Sequence, residues 1–219
     1  AGLVAVLDGA RSAAPSPDAR YACTVELAWL LMTTMAWNES AMRFEAAARQ
    51  NEQWAPVLLY LAYISRLLSK GEGAGNQDDL KDLAALRERN ARKVMGSTTN
   101  LHSFVRRKVT EFIVEGSDGT LSSLMVLPAL EMLYLNNELL PKRKTHAYKL
   151  LMVVQECEQR VSQEPESAGN AKRSDAIALL ALLKGRILTA LGMLSEATDA
   201  FNRVLSIKDD ITSDTWIPP

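Results

Sequence analysis

A large residue followed by a small one, Leu27-Ala28, returns 34 residues later as Leu61-Ala62, and this phase constrains the fold more than any other feature of the chain. A period of that length holds two short helices and their connections. Around the first copy, the residue types fall where a helical hairpin needs them. Leu27-Ala28 supplies a large-small step on a first helix, Leu31 follows one turn on, Trp37 opens a second helix, and Ser40, Phe44 and Ala47 pack back. Small residues let the two backbones approach, and the aromatic ring fills the space that remains. Around the second copy, Pro56-Val57-Leu58-Leu59-Tyr60-Leu61-Ala62-Tyr63 reads as another first helix. The stretch Gly71 to Asn76 then interrupts before a helical segment from Asp78 to Met95. Later in the chain, Gly185, Leu188, Gly192, Leu194, Ala197, Phe201, Val204 and Leu205 fit the same hairpin.

Everything between these hairpins also has helical period. Gly and Pro cluster only near 13–17, 71–76, 116–119 and 163–170, and no segment alternates with period two. Leu101, Phe104, Val105, Val109, Phe112 and Ile113 form one apolar stripe; Leu150, Leu151, Val154, Cys157 and Val161 form another, ending before Pro165. Ser174-Asp175 is expected to cap a helix that ends at Gly192, and Ser195 to cap the next. The spacing predicts an all-α fold: tetratricopeptide-like helical hairpins stacked as an α-α superhelix of about eight to ten helices. A generic helical bundle is the alternative. Residues 1–219 are expected to form a single helical-repeat domain, with units near 21–54, 55–95 (interrupted) and 174–207. Because the chain does not begin with Met, it is expected to be a fragment of a longer protein.

Composition and motifs narrow the function. A net charge of −1, from 25 basic and 26 acidic residues, excludes a globally basic nucleic-acid binder. Cys23 and Cys157 are too few for a disulfide scaffold and are expected to be reduced core residues. His102 and His146 have no second ligand at metal-site spacing, so neither metal nor cofactor is expected. Gly71-Glu72-Gly73-Ala74-Gly75 lacks the strand that a dinucleotide turn requires, and Glu131 beside Tyr134 is a lone carboxylate expected to be buried and structural. With no nucleophile elbow, paired carboxylates or phosphate loop, the chain is not expected to be an enzyme. The longest apolar runs, such as Leu58 to Ile64, fall short of the roughly 20 residues that span a bilayer. Ala1 to Leu7 is apolar but lacks a basic flank and is interrupted by Asp8, unlike a signal peptide. The candidate partner-binding residues are two basic runs, Arg106-Arg107-Lys108 and Lys142-Arg143-Lys144. The second sits at a helix start, where the dipole disfavours cations. Arg87, Arg89, Arg92 and Lys93 extend the basic patch. A solvated face is the plainer account of both runs; an acidic protein segment or an anionic lipid head group is the sharper one.

Several longer stretches resemble a known family. Glu26-Leu27-Ala28-Trp29, Trp37 with Phe44, Trp54 before Tyr60 and Ala62, the run Ser103 to Phe112 and the run Leu127 to Leu135 are similar to the family of tetratricopeptide repeat protein 39 and the fungal inclusion body clearance protein. The resemblance covers most of the chain in order and reaches Trp216-Ile217-Pro218-Pro219; it departs at Asn136-Asn137, where the family usually has an aromatic before Asn. It implies a C-terminal portion of a non-catalytic helical adaptor that binds other proteins. The family links that role to clearance of inclusions and lipid droplets, or to control of lipid metabolism. It further implies a cytoplasmic protein, with the nucleus and lipid droplets as other locations. A peripheral lipid-surface protein docking through the basic runs is the alternative; neither nucleic acid nor a transmembrane span is expected.

Overall fold

Ser16-Pro17-Asp18 starts the first repeat hairpin. The Ser16 hydroxyl accepts the Ala19 N–H at 3.2 Å. Pro17 takes the first helical position, where its missing donor is not needed, and Asp18 places negative charge at the positive end of the helix. In the first part of the chain, α1 spans Gly2–Ser12, α2 Pro17–Thr33, α3 Trp37–Ala48, α4 Ala55–Lys70 and α5 Asn100–Gly116. Later come α6 (Val126–Leu135), α7 (Lys144–Gln163), α8 (Asn170–Leu191), α9 (Leu194–Ser206) and a short 3-10 turn, Lys208–Asp210. The computed structural model describes residues 2–70, 78, 81–82, 84–86, 88, 100–116, 126–136, 144–163 and 170–211, and among them all regular structure is helical. The chain divides into two compact units, Ala1–Met125 and Val126–Pro219.

In the first unit the helices pack in chain order: α1 on α2, α2 on α3, α3 on α4, with α5 against α4. Serial packing of this kind is what hairpin repeats produce. Leu27, Ala28, Leu31, Ser40, Phe44 and Ala47 are all buried between α2 and α3. Ser40 Oγ donates to the Ala28 carbonyl at 3.0 Å across the crossing, so the small polar residue is satisfied by the helix it touches. Phe44 meets the Trp29 ring edge-on, with centroids 5.3 Å apart. Leu61 and Ala62 are buried on α4 as the repeat phase requires. That helix runs on to Lys70, and helical residues resume at Asp78. The interrupting stretch Gly71 to Asn76 lies outside the described residues.

In the second unit α8 is the centre, touched by α6, α7, α9 and the 3-10 turn. One constant shift along the sequence carries Ala28 to Gly185, Leu31 to Leu188, Met35 to Gly192, Ser40 to Ala197, Phe44 to Phe201 and Ala47 to Val204. The two turns close in the same way. Ala36 N–H donates to Leu31 C=O at 2.9 Å and Met193 N–H to Leu188 C=O at 3.0 Å. The residue before each donor is left-handed, Met35 at φ 60° and Gly192 at φ 81°. At Gly185 the helices come so close that a Cβ would lie 2.5 Å from the Phe201 ring.

Three local expectations change. Ser174 and Asp175 do not cap α8, because the helix already begins at Asn170 and Ala171, Lys172 and Arg173 contain no breaker. Ser195 lies inside α9, whose cap position falls to Met193 with no side-chain bond; the Gly192 turn sets that boundary. Cys157 is a core residue but Cys23 is only half-buried, since it lies in the less covered first half of α2, before the buried residues from Leu27 on. Of the apolar opening, Gly2 to Leu7 lie in α1, which rests on α2, while Ala1 lies outside the described residues.

Candidate functional site

The first basic run lies on α5, and its cations do different things. Arg106 is exposed, whereas Arg107 and Lys108 are half-buried. Both stand over the Phe104 ring, at 5.6 Å and 5.5 Å from its centroid. Cation–π contact of this kind holds about 0.5–1 kcal/mol at partly exposed sites, so Phe104 organises the run. The inner face of α5 carries Val105 and Val109, both buried; the side chains of Phe112 and Ile113 lie outside the described residues. One turn earlier, His102 donates from Nε2 to the Gln53 carbonyl at 2.9 Å, since a carbonyl oxygen only accepts. Its ring also meets Trp54, with centroids 4.9 Å apart. His102 therefore ties α5 to the turn before α4.

The second run opens α7 in the other unit. Lys144 is the first residue of that helix and is exposed. Lys142 and Arg143 lie outside the described residues, as do Arg87, Arg89, Arg92, Lys93 and Trp216 to Pro219. Glu131 is buried within α6. Among the described residues, no group of three His, Cys, Asp or Glu side chains converges as a metal site would, and no helix is long and apolar enough to cross a membrane. Burial raises the Cys157 thiol to about 11, with Glu156 adding to the rise and Arg160 opposing it; the thiol stays protonated and inert near neutral pH.

Sequence spacing missed the ion pairs that join helices within each unit. Asp8 of α1 accepts Arg43 of α3 at 3.2 Å. Arg66 of α4 reaches both Glu45 of α3 and, at 2.5 Å, Asp82. In the second unit, Glu158 of α7 accepts Lys184 of α8 at 2.7 Å and Arg203 of α9 at 3.5 Å. Lys184 stands at the hairpin position that Leu27 fills in the first unit, and Glu158 is what makes a cation acceptable there. Only long-range pairing could have found it. Two exposed apolar residues on α7, Tyr148 and Met152, were also missed; the signal that could have found them is the helix face left over by the buried stripe.

Duplicated hairpins with matched small-residue crossings and matched left-handed turns define an all-α, tetratricopeptide-like helical-repeat protein. The sequence model of the family described as Iml2/Tetratricopeptide repeat protein 39 matches residues 9–191. The chain belongs to that family. No solved structure matches it.

Proposed function

We propose that the chain is a non-catalytic protein-interaction scaffold whose helical hairpins present side-chain surfaces to other proteins. The observation that carries this reading is the repeated hairpin itself: α2 with α3 and α8 with α9 are joined by turns of one geometry. An architecture of stacked hairpins devotes one side of each helix to its neighbour and leaves the other for partners. The two basic runs, Arg106-Arg107-Lys108 and Lys142-Arg143-Lys144, are the partner-binding residues. The setting we infer, in keeping with the family resemblance, is clearance of protein inclusions or regulation of lipid metabolism, in the cytoplasm, the nucleus or at lipid droplets. Immobilised chain should capture a defined protein from extract in a saturable, salt-sensitive manner, and reversal of Arg106, Arg107 and Lys144 to Glu should weaken that capture. Capture of nothing by the folded chain would refute the scaffold reading.

A second reading is favoured by the exposed cation of the first run, Arg106, beside Arg107 and Lys108. Basic clusters of this kind attract anionic lipid surfaces, so the protein docks peripherally on membrane or droplet surfaces. Sedimentation with anionic vesicles at low and high salt separates it from the first reading; no salt-sensitive pelleting would dismiss it.

A further inference from the structure

The outer face of the first half of α7 is apolar and basic at once. Tyr148 is 50 % exposed and Met152 60 %, one helical turn apart, while the opposite side of the helix buries Ala147, Leu150, Leu151 and Val154. Lys144 and Lys149 are exposed on the neighbouring turns. From Lys142 to Gln155 the sequence contains no acidic residue, although a helix start is where carboxylates are most stabilising. Positive charge concentrated there gains nothing from the dipole of its own helix, and carboxylates of a partner would complement it. Tyr and Met are also the side chains that interfaces use for anchoring and for adaptable packing.

We propose that this face of α7 docks an acidic amphipathic helix of another protein, with the partner's apolar ridge against Tyr148 and Met152 and its carboxylates toward Lys144 and Lys149. The inference rests on the scaffold reading and gives the chemistry of one partner. Side chains four apart form a ridge, and a second helix offers the groove that receives it. A membrane fits less well, because an interfacial helix needs a broad apolar face. Here two large apolar side chains are followed by exposed Gln155, Glu156 and Gln159.

The test is fluorescence anisotropy on the full chain with a fluorescein-labelled synthetic peptide carrying Leu at helical spacing and Glu elsewhere, against a control with Lys in place of Glu. The Glu peptide should bind, more weakly as salt rises, and the Lys peptide should not. Tyr148→Ala, Met152→Ala and Lys149→Glu should each weaken binding by about tenfold or more. Met42→Ala, at an exposed apolar site on α3, should leave it unchanged, and all variants should keep the parent's circular dichroism. Failure of the Glu peptide to bind, or binding indifferent to the α7 variants, overturns the proposal. So does a face used otherwise: self-association in sedimentation velocity that Met152→Ala abolishes, or vesicle pelleting that it abolishes. If the doubly substituted Tyr148→Ala, Met152→Ala chain still captures its proteins from extract, the scaffold reading stands and this inference falls.

Discussion

Replacing Gly185 with leucine should destabilise the second unit, by an amount set by one contact. A Cβ at Gly185 would stand 2.5 Å from Phe201 Cε1 and 2.8 Å from Cδ1 and Cζ, whereas carbon atoms rest about 3.5–4.0 Å apart. The ring, or the whole of α9, must therefore retreat by about 1 Å. Ala197 and Val204 are buried on either side of Phe201 and resist that movement. Overpacking of this kind costs about 1–3 kcal/mol, while removing a glycine from a helix interior returns up to about 1 kcal/mol. Gly185→Ala should thus be neutral to destabilising by about 2 kcal/mol, and the bulkier Gly185→Leu should lose about 3 kcal/mol. Gly9→Ala in α1 is the control, because a Cβ there meets nothing within 4 Å. It should stabilise by up to about 1 kcal/mol. Urea and thermal unfolding followed by far-UV circular dichroism measure all three. Gly185→Leu unfolding like the parent, or Gly185→Ala stabilising as much as Gly9→Ala, would refute the close crossing of α8 and α9.

Further predictions concern the turns, the half-buried ion pair of Glu158 and the thiols. Gly192→Ala should cost about 1–2 kcal/mol because φ is left-handed there, while Met35→Gly should cost little or stabilise; equal losses at both in urea titrations would mean the two turns are not equivalent. Glu158→Ala should lose at least about 1 kcal/mol by stranding Lys184 and Arg203, and adding Lys184→Leu should recover part of it; additive losses in the double variant would argue against the pairing. Iodoacetamide labelling read by mass spectrometry should modify half-buried Cys23 well before Cys157. Because the folded state holds the Cys157 proton more tightly, its contribution is complete below the ordinary 9.0 and lost as pH rises toward about 11. Stability of Cys157→Ala should fall less steeply than the parent's across that window.

The first and last hairpins were legible because they are written in local spacing: Ala28 before Ser40 and Phe44, Gly185 before Ala197 and Phe201. Such small-residue crossings leave a mark wherever two backbones approach. The α7 stripe, from Leu150 to Val161, was equally plain, and its complement contained Tyr148 and Met152. Helix starts were less legible. Ser174 and Ser195 are better cap residues than Met193, but the Gly192 turn fixes where α9 begins and an unbroken run extends α8 back to Asn170. The Glu158 cluster was invisible, because an ion pair between distant residues has no period. In the first basic run the stacking of Arg107 and Lys108 on Phe104 is itself a matter of local spacing, three and four residues along one helix, whereas the half-burial of both cations depends on packing.

Crosslinking mass spectrometry of the full chain incubated in extract tests the scaffold account most directly. With an amine-reactive reagent, the account predicts saturable crosslinks from a defined partner to Lys108, Lys144 and Lys149, lost when Arg106, Arg107 and Arg143 are reversed to Glu with the lysines kept and helicity retained. Crosslinks confined to lysines elsewhere, unaffected by reversal, would move the binding surface; a folded chain that crosslinks no other protein would contradict the central claim.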